Sequence, residues 1–380
     1  MLILVINAGS SSIKYSLFNM PEEKRLLQGI LERIGERNSF IKHNIINKGS
    51  FNERLNISNH REGIKYIFSL LLNKKIGMIS DVRDIFCVGH RVVHGGESFR
   101  KPCIIDKKKL AKLKEYSPLA PLHNPPQVLV IEICFEYLKG IPQVAVFDTA
   151  FHSTLPKHAF IYGLPYELYE RFGIRKYGFH GISHQYVAEE TAKILKKPLE
   201  KLKIITCHLG NGCSITAIKE GKSMDTSMGF TPLEGVMMGT RPGDFDPSII
   251  IFLLKKGYSI KKIEEMLNKR SGLLGLSGIS NDMRDIMEEI KKGNPQAKLA
   301  RDVFVYRIQK YIASYIGILG GLDALVFTAG IGENQREIRD RICKGIDFLL
   351  KKTKARTLVI HTDEERLIAR HSYLLLKGKR

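Results

Sequence analysis

The 380-residue chain has no tryptophan, no CxxC pair and no long apolar run. Its six cysteines (Cys87, Cys103, Cys134, Cys207, Cys213 and Cys343) show neither zinc-ligand nor disulfide-framework spacing, so they are read as reduced, mostly buried thiols. The apolar run at residues 2–6 (LILVI) is too short for the core of a signal peptide. No segment approaches the ~18 uninterrupted apolar residues of a membrane span. A soluble, cytoplasmic protein is expected, with no membrane partner.

Acidic residues are also scarce: 39 Asp and Glu stand against 60 Lys and Arg, a formal net charge of +21. A basic balance invites a nucleic-acid reading. The cations are dispersed, however, with short runs such as Lys107–Lys109 and Lys351–Lys352 and no basic motif interleaved with aromatics. No nucleic-acid partner is expected. An anionic small substrate would still profit from such a field.

Hydrophobic content of 43% and charged content of 26% mark a globular chain, long enough for two domains. Residues 2–6 read as a strand, 7–12 (NAGSSS) as a turn, and 13–18 alternate as a second strand. About 200 residues on, the unit recurs: strand 203–207 (KIITC), turn 208–212 (HLGNG), strand 214–218. Two hairpins can look alike by accident. Small-residue tips in both, able to present backbone N–H groups to an anion, favour duplicated α/β domains facing each other across a cleft.

Between and after these hairpins lie helices at 107–115, 127–139 and 297–319, and strands at 141–147, 324–328 and 358–360. Residues 329–334 (AGIGEN) read as a Gly turn, and a final helix follows 361–365. Asp148 comes just past a buried strand, where open α/β sheets place site residues, although an N-cap would sit there equally well. Residues 211–246 combine the second Gly/Asn turn with Arg241, alone between Thr240 and Pro242-Gly243. Arg241, like Arg91 in the segment HRVVHGG, is either a charge stabiliser or half of a structural ion pair with a nearby Asp such as Asp244.

Ten segments then fall in one order: NAGSSSIKYSLF (7–18), GHRVVHGGESF (89–99), LAPLHNPP (119–126), VFDTAFH (146–152), YGFHGISH (177–184), HLGNGCSITAI (208–218), DTSMGFTPLEGVMMGTRPGD (225–244), NDMRDI (281–286), FTAGIGEN (327–334) and TDEE (362–365). Over nearly its whole length the chain resembles the acetokinase family. The resemblance implies an α/β fold of two duplicated ribonuclease-H-like (actin-type ATPase) domains with an interdomain cleft. Residues 1–150 plus 366–380 would form the first domain and 151–365 the nucleotide-binding second, with hinges near 150 and 365. It also implies a homodimer that reversibly transfers the γ-phosphoryl group of ATP to acetate.

Such a transfer asks for positioning and charge screening rather than covalent catalysis. In the family pattern Arg91 and Arg241 stabilise the transferring phosphoryl group, and Arg91 also holds the acetate carboxylate. His180 is the transition-state donor, while His123, His184 and His208 are supporting hydrogen-bond partners. Asp148 orients the acetate-binding arginine and joins Asn7 and Glu364 around Mg²⁺, with Mn²⁺ a possible substitute and Glu365 the neighbouring alternative ligand. ATP and ADP would meet Ser10, Ser12 and Lys14 at the first hairpin. They would meet His208, Leu209, Gly210, Asn211 and Gly212 at the second. Asp282, Met283 and Arg284 with Gly330, Ile331, Gly332, Glu333 and Asn334 match the adenosine segments. Val93, Leu122, Phe179 and Pro232 match the methyl pocket, so propionate is expected as a poorer substrate.

Two departures stand out. The stretch 346–356 is shorter than the family pattern by roughly a dozen residues. His361 replaces the Pro expected before Thr362, which predicts a looser loop. Rival readings are a propionate or butyrate kinase of the same fold, an ATP-binding chaperone or filament protein of the superfamily, and a basic nucleic-acid module.

Overall fold

The computed structural model describes residues 1–121 and 123–378, so Leu122 lies outside the described residues. The chain divides into two units, Met1–Ala150 with Asp363–Arg380, and Phe151–Thr362. The return to the first unit falls at Asp363 rather than 366. Asp363 already caps the last helix, its side chain accepting from the Arg366 N–H, and it pairs with Arg25 of the first unit.

The first unit is built on one eight-stranded sheet. Its strands are β1 (Leu2–Ala8), β2 (Ser12–Asn19), β3 (Lys24–Glu32), β4 (Ser39–Ile45), β5 (Gly49–Leu55), β6 (Ile85–Val92), β7 (Cys103–Ile104) and β8 (Gln143–Phe147), in spatial order β5-β4-β3-β2-β1-β6-β8-β7. β1 runs antiparallel to β2 and parallel to β6, and β6 is parallel to β8. β8 is buried along its whole length, which is why it reads as an unbroken apolar run. Val88 packs with Val130, Ile133 and Cys134 of the helix Asn124–Tyr137. Its neighbour Gly89 faces the other way: a Cβ there would lie 2.8 Å from Ile368 of the helix Glu364–Lys377. Strand alternation therefore puts these two helices on opposite faces.

The second unit carries five strands, β9 (Lys203–Leu209), β10 (Cys213–Lys219), β11 (Lys222–Thr226), β12 (Ala324–Thr328) and β13 (Arg356–Val359), in order β11-β10-β9-β12-β13. The pairs β9–β10 and β10–β11 are antiparallel, and β9–β12 and β12–β13 are parallel. The first unit has the same arrangement in β3-β2-β1-β6-β8. Both units are thus ribonuclease-H-like, and the sequence repeat is a structural repeat.

Both hairpins are tighter than the sequence suggested. Asn7, Ala8, His208 and Leu209 are the last rungs of β1 and β9, with Asn7 opposite Lys14 and Leu209 opposite Cys213, leaving only 9–11 and 210–212 as tips. The expected Gly turn at 329–334 is a short helix, Ala329–Asn334. Its first N–H, on Ala329, is satisfied at 2.8 Å by the Glu333 carboxylate, which offsets the poor helix propensity of two glycines. No helix among the described residues is long and apolar enough to cross a membrane.

Candidate active site

In the first unit the carboxyl ends of β1, β6 and β8 lie side by side, since Ile6 pairs with His90 and Arg91 with Val146. This places Asn7, Arg91 and Asp148 at one edge of the sheet. Asp148 is buried at 1% exposure, and among the described residues its carboxylate bonds Arg91 rather than a helix N-terminus, so the N-cap alternative falls away. Arg91 Nε donates to both Asp148 oxygens at 3.2 Å, and Nη2 donates to Oδ2 at 2.7 Å. Nη1 lies 3.1 Å from Glu364 Oε2, on the first turn of the last helix. Burial pushes the Asp148 carboxyl up, Arg91 pulls it back and Glu364 pushes it up again, so the net shift is upward. Burial opposes the Arg91 charge, but Asp148 and Glu364 outweigh it and hold the guanidinium firmly protonated.

Two carboxylates therefore share one guanidinium. Glu364 reaches Arg91 through Oε2 and leaves Oε1 uncommitted among the described residues. The Asn7 amide lies at the end of the adjacent strand. Oxygen donors with one excess negative charge are the set a hard divalent cation takes, so these residues fit Mg²⁺. Glu365 is turned elsewhere: its Oε2 accepts from Ser16 at 2.6 Å and lies 3.4 Å from Arg25. Val93, two residues beyond Arg91, is buried, and its N–H is held by Gln127 Oε1 at 2.9 Å. Ser10 and Lys14 are exposed at the first hairpin, and Ser12 is half-buried.

In the second unit the tip of β9–β10 faces two side chains. A Cβ on Gly212 would lie 2.7 Å from Arg241 Nη2 and 3.5 Å from His180 Nε2, so glycine is what admits both. Arg241 donates to the Pro232 carbonyl at 2.8 Å. It has no carboxylate partner among the described residues. Asp244 instead accepts from the Gly235 N–H and the Tyr311 hydroxyl, so the ion-pair alternative does not hold. Burial lowers the Arg241 pKa, as expected of a desolvated cation lacking a counter-ion.

His180 precedes the helix Gly181–Leu195 in the left-handed region, φ 57° and ψ 22°. For a residue with a Cβ this strain costs about 1–3 kcal/mol, and it aims the ring at the tip. The ring stacks on His208 at 4.2 Å, and Nδ1 bonds Ser214 Oγ at 2.9 Å. Phe179 is buried, and its carbonyl is bonded by His152 Nε2 at 3.0 Å.

Beside the same tip opens a cavity of about 420 Å³. Gly210 and Asn211, then Asp282, Met283 and Arg284, then Gly330, Ile331 and Asn334 line it, so three separate segments converge. Of the other expected nucleotide contacts, His208, Leu209, Gly212, Gly332 and Glu333 do not line it. Gly332 is buried against the ends of β9 and β12. Glu333 is spent on structure: beyond its cap on Ala329, its Oε2 binds His361 Nδ1 at 2.6 Å. That pair links the loop that lacks the expected proline to the helix Ala329–Asn334. The sequence reading omitted Asn281 and Gln335, which also line the cavity. Asn281 Nδ2 donates to Asn211 Oδ1 at 2.9 Å and so braces the tip. Uncharged amides outside a Gly-rich motif give no sequence signal.

Duplicated ribonuclease-H-like sheets, each with an anion-compatible hairpin, define an actin-type ATPase fold. The Acetokinase family model matches residues 2–372. An acetate kinase of Halothermothrix orenii is 49% identical over 398 aligned residues, covering all of both chains. An acetate kinase of Acetivibrio thermocellus is 49% identical, with 99% of each chain covered. Among solved structures, an acetate kinase of Porphyromonas gingivalis matches with TM-score 0.93 and 42% identity over 99% of each chain. A propionate kinase of Francisella tularensis matches with TM-score 0.90 and 42% identity, over 97% of this chain and 98% of its own. The chain belongs to the acetokinase family.

Proposed function

We propose that this protein transfers the γ-phosphoryl group of ATP reversibly to acetate, giving acetyl phosphate and ADP. One observation carries the reading: Arg241 is a desolvated guanidinium with no carboxylate partner among the described residues, set with His180 at a hairpin tip beside a nucleoside-sized cavity. An arginine with no carboxylate partner keeps its charge available for a phosphate, whereas Arg91 is oriented by two carboxylates.

In the forward reaction an acetate oxygen forms a bond to the γ-phosphorus as the bond to the β,γ-bridging oxygen breaks. ADP leaves, and no proton need move. Arg241 and His180 are assigned to the equatorial phosphoryl oxygens, where charge-assisted donors stabilise the transition state. Arg91 is assigned to the acetate carboxylate. A guanidinium has five N–H donors, and Asp148 and Glu364 engage three, which leaves two for the substrate. Asp148 thereby fixes the plane of the arginine. Asn7, Asp148 and Glu364 would hold Mg²⁺, which when bound screens the phosphate charge. Asp282, Arg284, Gly330 and their neighbours around the cavity are assigned to adenosine, and Val93, Phe179 and Pro232 to the methyl group. The family reading also carries a cytoplasmic homodimer.

The propionate kinase match supports a second reading, the same chemistry on a longer acid. Both are tested by trapping the acyl phosphate with hydroxylamine. Hydroxamate should form from acetate, ATP and Mg²⁺, and less efficiently from propionate, since one methylene is worth ~1–3 kcal/mol in such a pocket. Signal from propionate but none from acetate would move the assignment to the second reading. No signal from any short carboxylate would overturn both.

A further inference from the structure

Ser214 Oγ lies between two imidazoles: His180 Nδ1 at 2.9 Å and His184 Nε2 at 2.7 Å. Behind them, His184 Nδ1 lies 2.7 Å from Thr206 Oγ1. Thr206, His184 and Ser214 are all fully buried. The fold fixes this row. His180 and His184 are one helical turn apart at the start of the helix Gly181–Leu195, and Thr206 and Ser214 sit on the paired strands β9 and β10.

A serine hydroxyl carries one proton, and among the described residues that proton has no other acceptor, so with both rings neutral it donates to one and accepts from the other. The protonation patterns of His180 and His184 are therefore linked, and two arrangements exist. In the first, Thr206 donates to His184 Nδ1, His184 Nε2–H donates to Ser214, and Ser214 donates to His180 Nδ1. The His180 proton then resides on Nε2, the atom near Gly212 and Arg241. In the second, every bond is reversed, and a neutral His180 turns a bare Nε2 to the tip.

The two are not equivalent. Among the described residues, His184 Nδ1 is the one hydrogen-bond partner of Thr206 Oγ1. The reversed arrangement leaves the Thr206 hydroxyl proton buried with no acceptor, whereas the first satisfies every group. Burial also keeps His184 uncharged, its pKa lying well below the usual imidazole value, so the second ring does not become a double donor.

We propose that Thr206, His184 and Ser214 are positioning residues that form a one-way hydrogen-bond chain, fixing His180 as the Nε2–H tautomer. His180 then presents an N–H donor beside Arg241. The consequence for turnover rests on the assignment of His180 to the phosphoryl group made above. The tautomer itself does not.

The test is ¹⁵N-histidine labelling with long-range ¹H–¹⁵N correlation spectra, which distinguish protonated from bare ring nitrogens, on wild type, Thr206→Val and Thr206→Ser. Wild type should show both His180 and His184 protonated at Nε2 alone. Thr206→Val keeps the shape but removes the donor, so both rings should show mixed tautomers. Turnover should fall roughly tenfold while the KM values for acetate and ATP stay within about twofold, part of the loss expected for a missing donor. Thr206→Ser should restore the spectrum and the rate. A wild-type His180 protonated at Nδ1, or a Thr206→Val spectrum like that of wild type, would overturn the chain. A shifted tautomer with unchanged turnover would uphold the chain and overturn the assignment of His180. Ser214→Ala, which cuts the link at its centre, should decouple the two rings in the same spectra.

Discussion

The two units share one topology and differ in the charge they put at the same place. At the strand ends of the first unit, two carboxylates hold one arginine, with an uncommitted carboxylate oxygen among the described residues and Asn7 near the end of the adjacent strand. At the equivalent ends of the second, an arginine without a carboxylate stands with two stacked imidazoles over a glycine tip. The repeated sheet supplies a location and the side chains supply the sign. A carboxylate cluster suits a metal ion and a bare guanidinium suits a phosphate, and the proposed phosphoryl transfer rests on that division.

Changes at the second tip should have the largest effect. Arg241→Leu is expected to lower kcat/KM for acetate by ~10³-fold or more, the scale seen when an arginine is withdrawn from a transferring phosphoryl group. Thermal unfolding should barely move, because no ion pair is lost. Next, Asp148→Asn should lower turnover by ~10²–10³-fold and raise the Mg²⁺ concentration needed for half-maximal rate, since it both unlocks Arg91 and removes a carboxylate. Gly212→Ala should cost ~10–100-fold in kcat with little change in ADP affinity, because the added methyl displaces Arg241 by about an ångström. Steady-state kinetics check all three. If Asp148→Asn were milder than Gly212→Ala, the first unit would not be the metal half.

The smallest effect concerns stability. Burial lowers the pKa of six imidazoles. His43, His90, His94 and His371 lie in the first unit, and His152 and His184 in the second. A folded-state pKa below the unfolded value means that the unfolded chain binds more protons once pH drops below about 6.5. The stabilising contribution is therefore present above that pH and lost as pH falls toward about 4, the value for His90, His94, His152 and His371. With more such groups, the first unit should lose hydrogen-exchange protection first between pH 6.5 and 5. Equal loss in both units would contradict this.

The halves of that comparison were unequally visible in the sequence. The repeated hairpins were legible because buried strands with small-residue tips punctuate the chain, and β12 has the bounds its apolar run indicates. The strands β3, β4 and β5 passed unmarked. In β4 the inward positions are Ser39, Ile41, His43 and Ile45, half of them polar, so the alternation escapes hydropathy. The helix 329–334 hid behind two glycines, because its cap comes from Glu333, inside the helix. Arg241 was visible as a lone cation, but its lack of a counter-ion is a property of three dimensions. Of the row Thr206, His184 and Ser214, only His184 was marked, as a supporting hydrogen-bond partner, because threonine and serine inside apolar strands read as ordinary strand residues.

The division of labour between the units is tested most directly by Mn²⁺ binding in the presence of ADP, followed by electron paramagnetic resonance, on wild type, Asp148→Asn and Arg241→Leu. The expected result is ~10–100-fold weaker Mn²⁺ binding in Asp148→Asn and an unchanged value in Arg241→Leu. Equal weakening in both variants, or weakening in Arg241→Leu alone, would contradict it.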